Sequence, residues 1–351
     1  MHRFRLLIAL AAAWLLPASS AWAIVTVKTL TDTISAKSLD KITSTELTVT
    51  KVDNSQLVIP VNTVESVRYD GEPLQLNNVR AAIGQGNFEA AAQLLQNPAL
   101  DPGSINSLEV KQEILFFKAL TAARLARTAQ EVKDAGSLMY NFVSGNPGSW
   151  HYFESLEVLG DLFVAVGSHD QAIQQYAKLE SAPWPDFKMR GAVARGRALQ
   201  AQNKFAEALS AFEAALQQAG GDKDNPLIES QRLAATVGKA SCLAETGKAA
   251  DGIALVQGVI TNAKPEQAEL HAAAFTALGN CYAKSSPPQT KEAFLNFLKV
   301  DVLYPSYPKY HAEALYNLSK LWKEVNKPER GLQAKEELVR RYSSSPWASK
   351  D

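Results

Sequence analysis

The sequence predicts a mainly α-helical repeat array that follows a small, all-β, barrel-like module. Two patterns support this fold class. From residue 24 to residue 73, short apolar side chains alternate with polar ones and β-branched residues are abundant, which is typical of strands. From residue 74 to residue 351, alanine, leucine, glutamine and glutamate dominate, and apolar residues recur every three or four positions, as in amphipathic helices.

Residues 1–23 have the build of a secretory signal peptide. Arg3 and Arg5 precede an uncharged apolar run from Leu6 to Leu16, and an Ala-Trp-Ala sequence at 21–23 resembles a cleavage site. The apolar run is shorter than the ~20 residues that a membrane-spanning helix needs. We therefore predict cleavage near Ala23 and export to the periplasm or cell envelope, with an uncleaved membrane anchor as the alternative. No comparable run follows, so no membrane span is expected in the mature chain.

Charge and cysteine content argue against two classes of protein. The 36 basic and 36 acidic residues balance, whereas a nucleic-acid-binding protein would show a strong basic excess, so no nucleic-acid partner is expected. Only two cysteines occur, Cys242 and Cys281, so the fold cannot depend on a disulfide framework. Because they occupy equivalent positions in neighbouring helical segments, whose axes pack about 8–10 Å apart, buried free thiols are favoured over a disulfide.

Four or five short strands are predicted in the β-module, which spans residues 24–73. They lie near residues 24–30, 33–42, 46–52, 56–61 and 66–69. A strongly curved small barrel would close so few strands without leaving long exposed edges.

The helical part repeats with a period near 40 residues. In the first helix of successive units a small residue is followed three positions later by a bulky one. The small residues, spaced by 36 to 44 positions, are Gly160, Gly196, Ala240, Gly279 and Ser319. The bulky residues are Phe163, Leu199, Leu243, Tyr282 and Trp322. In the second helix a small residue again precedes a bulky one, as in the pairs Ala172 and Tyr176, Ala208 and Phe212, and Ala293 and Phe297.

This pattern resembles the tetratricopeptide repeat family, from about Leu74 to the C-terminus and over six or seven units. The family's unit has Leu-Gly and an aromatic residue in its first helix, a glycine-containing turn, and alanine and aromatic positions in its second helix. The resemblance implies that the helix pairs stack into a superhelix whose concave surface binds a peptide or protein. It also implies that the repeats are packed by Gly160, Phe163, Ala172, Tyr176, Gly196, Ala208, Phe212, Gly279, Tyr282, Ala293, Phe297 and Trp322.

The β-module ends in a charged loop, VRYDGEP, at residues 67–73. Together with Ile59, Pro60 and Val64, this ending resembles that of exported tetratricopeptide proteins of planctomycete-type bacteria, a resemblance that implies an architecture rather than an activity. The loop could be catalytic or metal-binding, but its position between strands and helices favours a structural joint. We predict that the joint consists of Arg68, Tyr69, Asp70, Gly71, Glu72 and Pro73.

Several joint residues have an expected structural role. Gly71 permits a positive φ at the turn, and Pro73 ends strand pairing. Glu72 is expected near the start of the first helix, where the helix dipole favours a negative charge. Arg68 is expected to pair with Asp70 or Glu72, a contact that contributes little unless it is partly buried.

Residues outside the joint suggest few chemical sites. His271 and His311 share one register in the last two repeats and could approach each other, but no further metal ligands accompany them. The DKDNP turn at residues 222–226 lacks the glycine and distant glutamate of a calcium loop. Aromatic segments at 150–154 and 183–187 are expected to pack between units or to form part of a peptide-docking surface. No catalytic residue, cofactor or metal is predicted, because the motifs for them do not occur.

These observations favour a non-enzymatic interaction scaffold of the cell envelope that binds a peptide or protein in the groove of the superhelix. The alternative is an accessory or regulatory subunit of an envelope enzyme complex, or an enzyme with its site in the β-module. An enzyme would need ionisable groups that converge in the module, where the candidates are Asp32, Lys37, Asp40, Lys41, Asp53, Arg68, Asp70 and Glu72. Homo-oligomerisation through the array is a third alternative.

Overall fold

A computed structural model of the chain describes residues 25–220, 225–343 and 345–350. The predicted signal peptide, Ile24 and most of the DKDNP turn lie outside the described residues. None of the helices in the described part of the chain is long and apolar enough to cross a bilayer.

The N-terminal module is a five-stranded antiparallel sheet, as the alternating pattern predicts. Its strands are β1 (Val25–Thr29), β2 (Thr33–Ile42), β3 (Glu46–Lys51), β4 (Gln56–Pro60) and β5 (Val64–Arg68). In the sheet the strand order is β4, β3, β2, β1, β5, so the last two strands in the chain lie at opposite edges. One face carries fully buried side chains, among them Val27, Leu47, Val49 and Val67.

The sheet must be strongly curved, because a very short segment joins its two edges. In a flat five-stranded sheet the edge strands would lie about 19 Å apart, at ~4.8 Å per neighbouring pair. Only a 3₁₀ turn, Val61–Thr63, links Pro60 at the end of β4 to Val64 at the start of β5. Such a link spans at most about 14 Å, so the sheet is strongly curved, as predicted, and β4 and β5 remain its two edges.

Fourteen helices follow in the described residues and form seven consecutive pairs. The first eight are α1 (Gln75–Gly84), α2 (Phe88–Leu94), α3 (Leu108–Leu125), α4 (Ala129–Gly145), α5 (Tyr152–Ala165), α6 (His169–Leu179), α7 (Pro185–Ala201) and α8 (Phe205–Gln218). The remaining six are α9 (Pro226–Glu245), α10 (Ala249–Asn262), α11 (Ala268–Ala283), α12 (Thr290–Leu303), α13 (Pro308–Glu324) and α14 (Pro328–Arg341).

Most pairs are closed by a single residue in the left-handed backbone region. The residues with positive φ between the two helices of a pair are Gly86, Gly167, Asn203, Gly247 and Asn326. Glycine adopts this conformation at little cost, and asparagine tolerates it better than most other side chains. This explains why the turn position of the repeat is restricted to these two residue types here.

The odd-numbered helices form the inner layer of the array. From α3 to α13, each odd-numbered helix contacts the next odd-numbered helix as well as its own partner. Even-numbered helices contact chiefly the odd-numbered helices on either side of them. The array therefore bends around its odd-numbered helices, and we call their common surface the inner face.

The sheet and the first helix pairs share one hydrophobic core. A continuous cluster of buried side chains runs from Val27 in β1 through Leu76 in α1 and Ile114 in α3 to Leu156 in α5. A second cluster fills the C-terminal repeats and includes Val256, Phe297 and Leu318. Strands give way to helices between residues 68 and 75 without a break in the core.

Candidate functional site

The inner face carries a set of accessible charged side chains. Arg197 in α7, Glu269 in α11 and Lys309 in α13 are exposed on it. Their charges act on one another across the array: enclosure by the surrounding helices and the positive charge of Arg197 lower the pKa of Lys309 to about 8, while Glu313 and Glu269 oppose the change. Helices separated by more than 100 residues in sequence thus face a common space.

Glu313 in α13 faces the same space and is held by a hydrogen bond. Its Oε1 accepts from Nδ2 of Asn280 at 2.7 Å, which joins α13 to α11. Burial raises the pKa of Glu313, and the hydrogen bond from Asn280 opposes this. In the described part of the chain, neither Arg197 nor Lys309 has a carboxylate within salt-bridge distance. Two cations on the inner face are therefore available to an external anion.

The β-module covers the N-terminal end of the inner face. A cavity of about 380 Å³ lies where the module meets the odd-numbered helices, with Asn62 and Val64 on one side and Phe116, Trp150 and Phe187 on the other. Nδ2 of Asn62 donates a hydrogen bond of 3.2 Å to Oδ1 of Asp186 at the start of α7. The module thus occupies a part of the groove that a partner would otherwise reach.

The C-terminal segment lies at the opposite end of the inner face. The ring of Trp347 packs on that of Tyr316 in α13, with centroids 5.1 Å apart. The ammonium of Lys350 lies 3.9 Å from the centroid of Trp347. The accessible inner face consequently lies between the β-module and this segment, on helices α7 to α13.

A buried polar network ties the β-module to the helices. Glu113 in α3 is 1% exposed and accepts hydrogen bonds from Nε of Arg80 at 3.0 Å and from the hydroxyl of Tyr69 at 3.3 Å. Nε2 of His151 lies 3.1 Å from Oε2 of the same carboxylate. The hydroxyl of Tyr69 in turn accepts from Nε1 of Trp150 at 3.0 Å. These groups come from the end of the sheet, α1, α3 and the start of α5.

The pKa directions in the network follow from its charge balance. Burial would raise the pKa of Glu113, but hydrogen bonds and positive charge from His151 and Arg80 outweigh it and lower the pKa. Burial would likewise lower the pKa of His151, yet the carboxylates of Glu113 and Glu154 raise it. With His151 protonated, two cations offset the buried carboxylates of Glu72 and Glu113, so the network favours the charged imidazole.

The structure corrects one expectation about the joint, the partner of Glu72. Glu72 pairs with Arg80 through two hydrogen bonds of 2.5 and 2.6 Å and not with Arg68, which is exposed. Glu72 also accepts from the backbone N–H of Tyr69 at 3.0 Å, and it lies near the start of the first helix as expected, three residues before α1 begins at Gln75. The reason is burial: the inward-facing Arg80 offers a better-shielded partner than a surface arginine.

The other joint residues lie at the corner itself. Gly71 has a φ of +65°, and both Gly71 and Asp70 are exposed. Tyr69 is buried, and Pro73 is half-buried before α1. The structure thus assigns Tyr69 and Glu72 to the network and leaves Asp70 on the surface.

The small positions in the helices accept aromatic rings at close range. A Cβ atom on Gly160 would lie 2.3 Å from Cε1 of Tyr176, and one on Gly196 would lie 2.8 Å from Cε1 of Phe212. At Gly279 the corresponding distance to Cζ of Phe297 is 2.8 Å. The same contact, between a small residue of the first helix and an aromatic residue of the second, therefore recurs in three pairs.

The helical array has a tetratricopeptide-type architecture. Its paired helices, positive-φ turns and recurring glycine–aromatic contacts establish this from the chain's own geometry. Of the other predicted packing residues, Ala172, Ala208 and Ala293 are fully buried, while Phe163, Tyr282 and Trp322 are half-buried.

Comparisons with known proteins add only distant likenesses. No family model matches the chain, and no curated protein matches it. Among solved structures, the C-terminal part of a TPR repeat-containing protein from Cytophaga hutchinsonii is similar at 14% identity and a TM-score of 0.44, covering 78% of this chain and 97% of that one. The P58(IPK) TPR domain is similar at 16% identity and a TM-score of 0.29, covering 78% of this chain and 75% of that one. Both scores are too low to support an inference about function.

The ionisable candidates of the β-module lie outside the cavity beside the sheet. Asp40 accepts from the hydroxyls of Ser38 and Thr50, and Asp53 from that of Ser55. The cavity beside the sheet is lined from the module by other residues: Leu30, Val61, Asn62, Val64 and Glu65. None of the eight candidates lines this cavity.

The histidines and cysteines of the tetratricopeptide array each have their own surroundings. His311 is buried, with Nε2 2.8 Å from Asp301 and Nδ1 2.7 Å from the hydroxyl of Tyr342. His271 instead lies 3.1 Å from the carbonyl of Lys264, so the two histidines do not share a ligand. Cys242 and Cys281 are buried free thiols, and burial raises the pKa of each to about 12. No group of three metal-ligating side chains occurs in the described residues.

Sequence reasoning missed the network around Glu113, although a signal for it exists. Glu113 lies on the buried side of α3, next to Ile114 and between Val110 and Phe117. A carboxylate on an apolar helix face needs a buried partner, since an unpaired charge there is costly. What the sequence does not show is which of the distant cations, Arg80 or His151, reaches it.

Proposed function

We propose that the protein is a non-enzymatic interaction scaffold that is exported to the cell envelope and binds a peptide or protein partner along the inner face from α7 to α13. The observation that carries the proposal is the pair of accessible, unpaired cations, Arg197 and Lys309, which face one space from helices far apart in sequence. Charges so placed fix the register and orientation of a bound chain.

The rest of the inner face supports an extended partner. Glu269 and Glu313 place negative charge beside the two cations, so the surface can bind both acidic and basic side chains of a peptide. The β-module and the Trp347 segment bound this surface at its ends and restrict the partner to the middle of the array. Export is proposed from the signal-like composition of residues 1–23 alone.

Binding to an array of short synthetic peptides of defined sequence tests the proposal. We expect the mature protein to retain a subset of peptides and the double variant Arg197→Glu/Lys309→Glu to lose them by about tenfold or more in affinity, because two attractive charge contacts become repulsive. Export is checked in the same preparation, since protein isolated from the producing cells should begin near Ile24.

The matched control is Lys178→Glu, a charge reversal of an exposed lysine on the outer helix α6. This variant should bind the same peptides as the unaltered protein. Equal binding by the double variant and the control, or retention of no peptide by the unaltered protein, would contradict the proposal.

A further inference from the structure

The cavity between the β-module and the array has an aromatic wall. Its lining includes Phe116, Phe117, Trp150 and Phe187, which are all at least nine-tenths buried as residues. At about 380 Å³ it falls within the range of pockets that take small ligands, roughly 300–1,000 Å³. Aromatic faces bind the alkyl stem of a long side chain and attract a cation through the ring quadrupole.

A buried carboxylate, Asp186, lies in the same cavity; burial raises its pKa and the nearby positive charge of Arg190 opposes the change, although the two groups do not form a salt bridge. Asp186 lines the cavity and is 5% exposed, and its carboxylate accepts hydrogen bonds from the neutral amide of Asn62 and from the backbone N–H groups of Asp186 and Phe187. Its place in the first turn of α7 lets the helix dipole favour the negative charge. In the described part of the chain no Lys, Arg or His nitrogen lies within salt-bridge distance of it.

The cations that share the cavity have other partners. Arg190, one turn after Asp186, forms a salt bridge with Glu157, and its guanidinium lies 4.6 Å from the centroid of Phe187. His151 directs its two ring nitrogens to Glu113 and Glu154. The carboxylates of Glu154 and Glu65 stand at the cavity with 41% and 39% of their side chains exposed. Glu65 is paired with Lys28 at 2.6 Å, and Glu154 lies 3.5 Å from His151. Of the three carboxylates that line the cavity, Asp186 is therefore the one without a salt-bridge partner among the described residues.

We propose that this cavity binds a basic side chain, lysine or arginine, of the partner that lies along the inner face. The alkyl stem packs against Trp150 and Phe187, and the cationic head reaches Asp186. The inference rests on the proposed function, since the cavity lies at the end of the inner face nearest α7 and is lined by Ser230 and Gln231 of α9 as well. Burial raises the pKa of Asp186, so a bound cation would also relieve the cost of its charge.

Monomeric analogues test the cavity separately from the groove. The probes are the N-acetyl, C-methylamide derivatives of lysine, arginine and the neutral isostere norleucine, titrated while the indole N–H resonance of Trp150 is followed by NMR. We expect the lysine or arginine derivative to shift this resonance saturably and the norleucine derivative to bind at least about tenfold more weakly, because it lacks the charged hydrogen bond to Asp186.

Variants at one position identify the responsible group. Asp186→Asn should lower the affinity for the basic derivative by about tenfold. Asp186→Glu, which keeps the charge, should retain most of the affinity. Asp134→Asn, a matched change on the surface of α4, should have no effect. Asp186→Glu changes the size of the side chain but keeps its charge. If Asp186→Asn loses binding and Asp186→Glu retains it, the lost charge is responsible and not a disturbed cavity.

Three outcomes would overturn the inference: no saturable shift with either basic derivative, equal binding of the norleucine derivative, or undiminished binding by Asp186→Asn. The double variant Arg197→Glu/Lys309→Glu separates it from the proposed function. That variant should lose peptides from the groove and still bind the basic derivative. If peptide binding alone is absent, the proposed function is contradicted and the inference about the cavity is not. If binding of the basic derivatives alone is absent, the inference about the cavity is contradicted and the proposed function is not.

Discussion

At the scale of single residues, the array depends on positions where a side chain larger than hydrogen does not fit. Gly160 faces the ring of Tyr176, whose hydroxyl donates a 2.7 Å hydrogen bond to Asp161 on the same helix as the glycine. The ring is therefore held at both its edge and its hydroxyl, and it cannot withdraw from an added methyl group without losing that bond. Gly196 and Gly279 have the same relation to Phe212 and Phe297, without the hydroxyl.

We predict that Gly160→Ala lowers the free energy of unfolding by about 1–3 kcal/mol, the usual cost of overpacking a core. Urea denaturation measures the change. The matched control is Gly136→Ala in α4, where an added Cβ has no atom within 4 Å and alanine should stabilise the helix by about 0.5–1 kcal/mol. Stabilisation of similar size by both variants would show that helix propensity, and not the Tyr176 contact, decides the effect.

At the scale of secondary-structure elements, the junction of sheet and helices depends on buried charge. Tyr69 and Glu72 follow β5, Arg80 lies in α1, Glu113 in α3 and His151 immediately before α5. The imidazole of His151 also stacks between Phe116 and Trp150, with ring centroids 3.7 and 3.6 Å away. Removing one partner of such a set leaves an uncompensated charge, which is more costly than the set itself is stabilising.

The junction should make stability depend on pH in a defined direction. The pKa of His151 is raised above its ordinary 6.5 in the folded protein, so its contribution is complete below pH 6.5 and is lost as the pH rises through the folded-state value. The pKa of Glu113 is lowered below 4.5, so its contribution is present above that pH and is lost as the pH falls through the lowered value.

We therefore predict that the difference in unfolding free energy between the unaltered protein and His151→Gln is largest between pH 4.5 and 6.5. It should shrink as the pH rises further, because the folded protein then loses the imidazolium that faces Glu113 and Glu154. Urea denaturation over a series of buffers measures it. A difference that stays constant from about pH 5 to pH 9 would show that His151 acts only by packing.

At the scale of the whole molecule, the β-module is part of the array's core and not a separate unit on a linker. Val67 of β5 belongs to the same buried cluster as Ile114 of α3 and Leu156 of α5, whereas Leu318 of α13 belongs to the C-terminal cluster. In repeat arrays the stability is nearly the sum of the stabilities of the single repeats and of the interfaces between neighbouring repeats. A destabilising substitution therefore affects mainly the repeats next to it.

We predict that Val67→Ala speeds amide hydrogen exchange in the strands and in α3 and α5 together, and leaves α13 and α14 unchanged. We expect the substitution to lower the free energy of unfolding by about 2 kcal/mol, because it truncates a fully buried side chain to a methyl group. Leu318→Ala, at an equally buried position of α13, should show the reverse pattern. Faster exchange confined to the strands after Val67→Ala would show that the module unfolds on its own.

Local patterns were enough to predict much of this architecture. The alternation around Leu47 and Val49 predicted a strand because side chains of a strand point to opposite faces. The recurrence of Gly160, Gly196 and Gly279 predicted the stacked helix pairs, because close packing of helices needs a small residue at a regular interval. Both signals depend on neighbours within about one repeat, so they survive in a single sequence.

Tertiary structure decided what the sequence could not. The curvature of the repeats and the docking of the sheet decide that Glu72 pairs with Arg80 and Glu113 with His151. They also decide that Arg197 and Lys309 face the same space. Ion pairs are governed by burial and distance through space, and neither is encoded in spacing along the chain. The sequence by itself therefore determined the elements and their repeat, while the folded chain alone determined which charges are joined and which remain accessible to a partner.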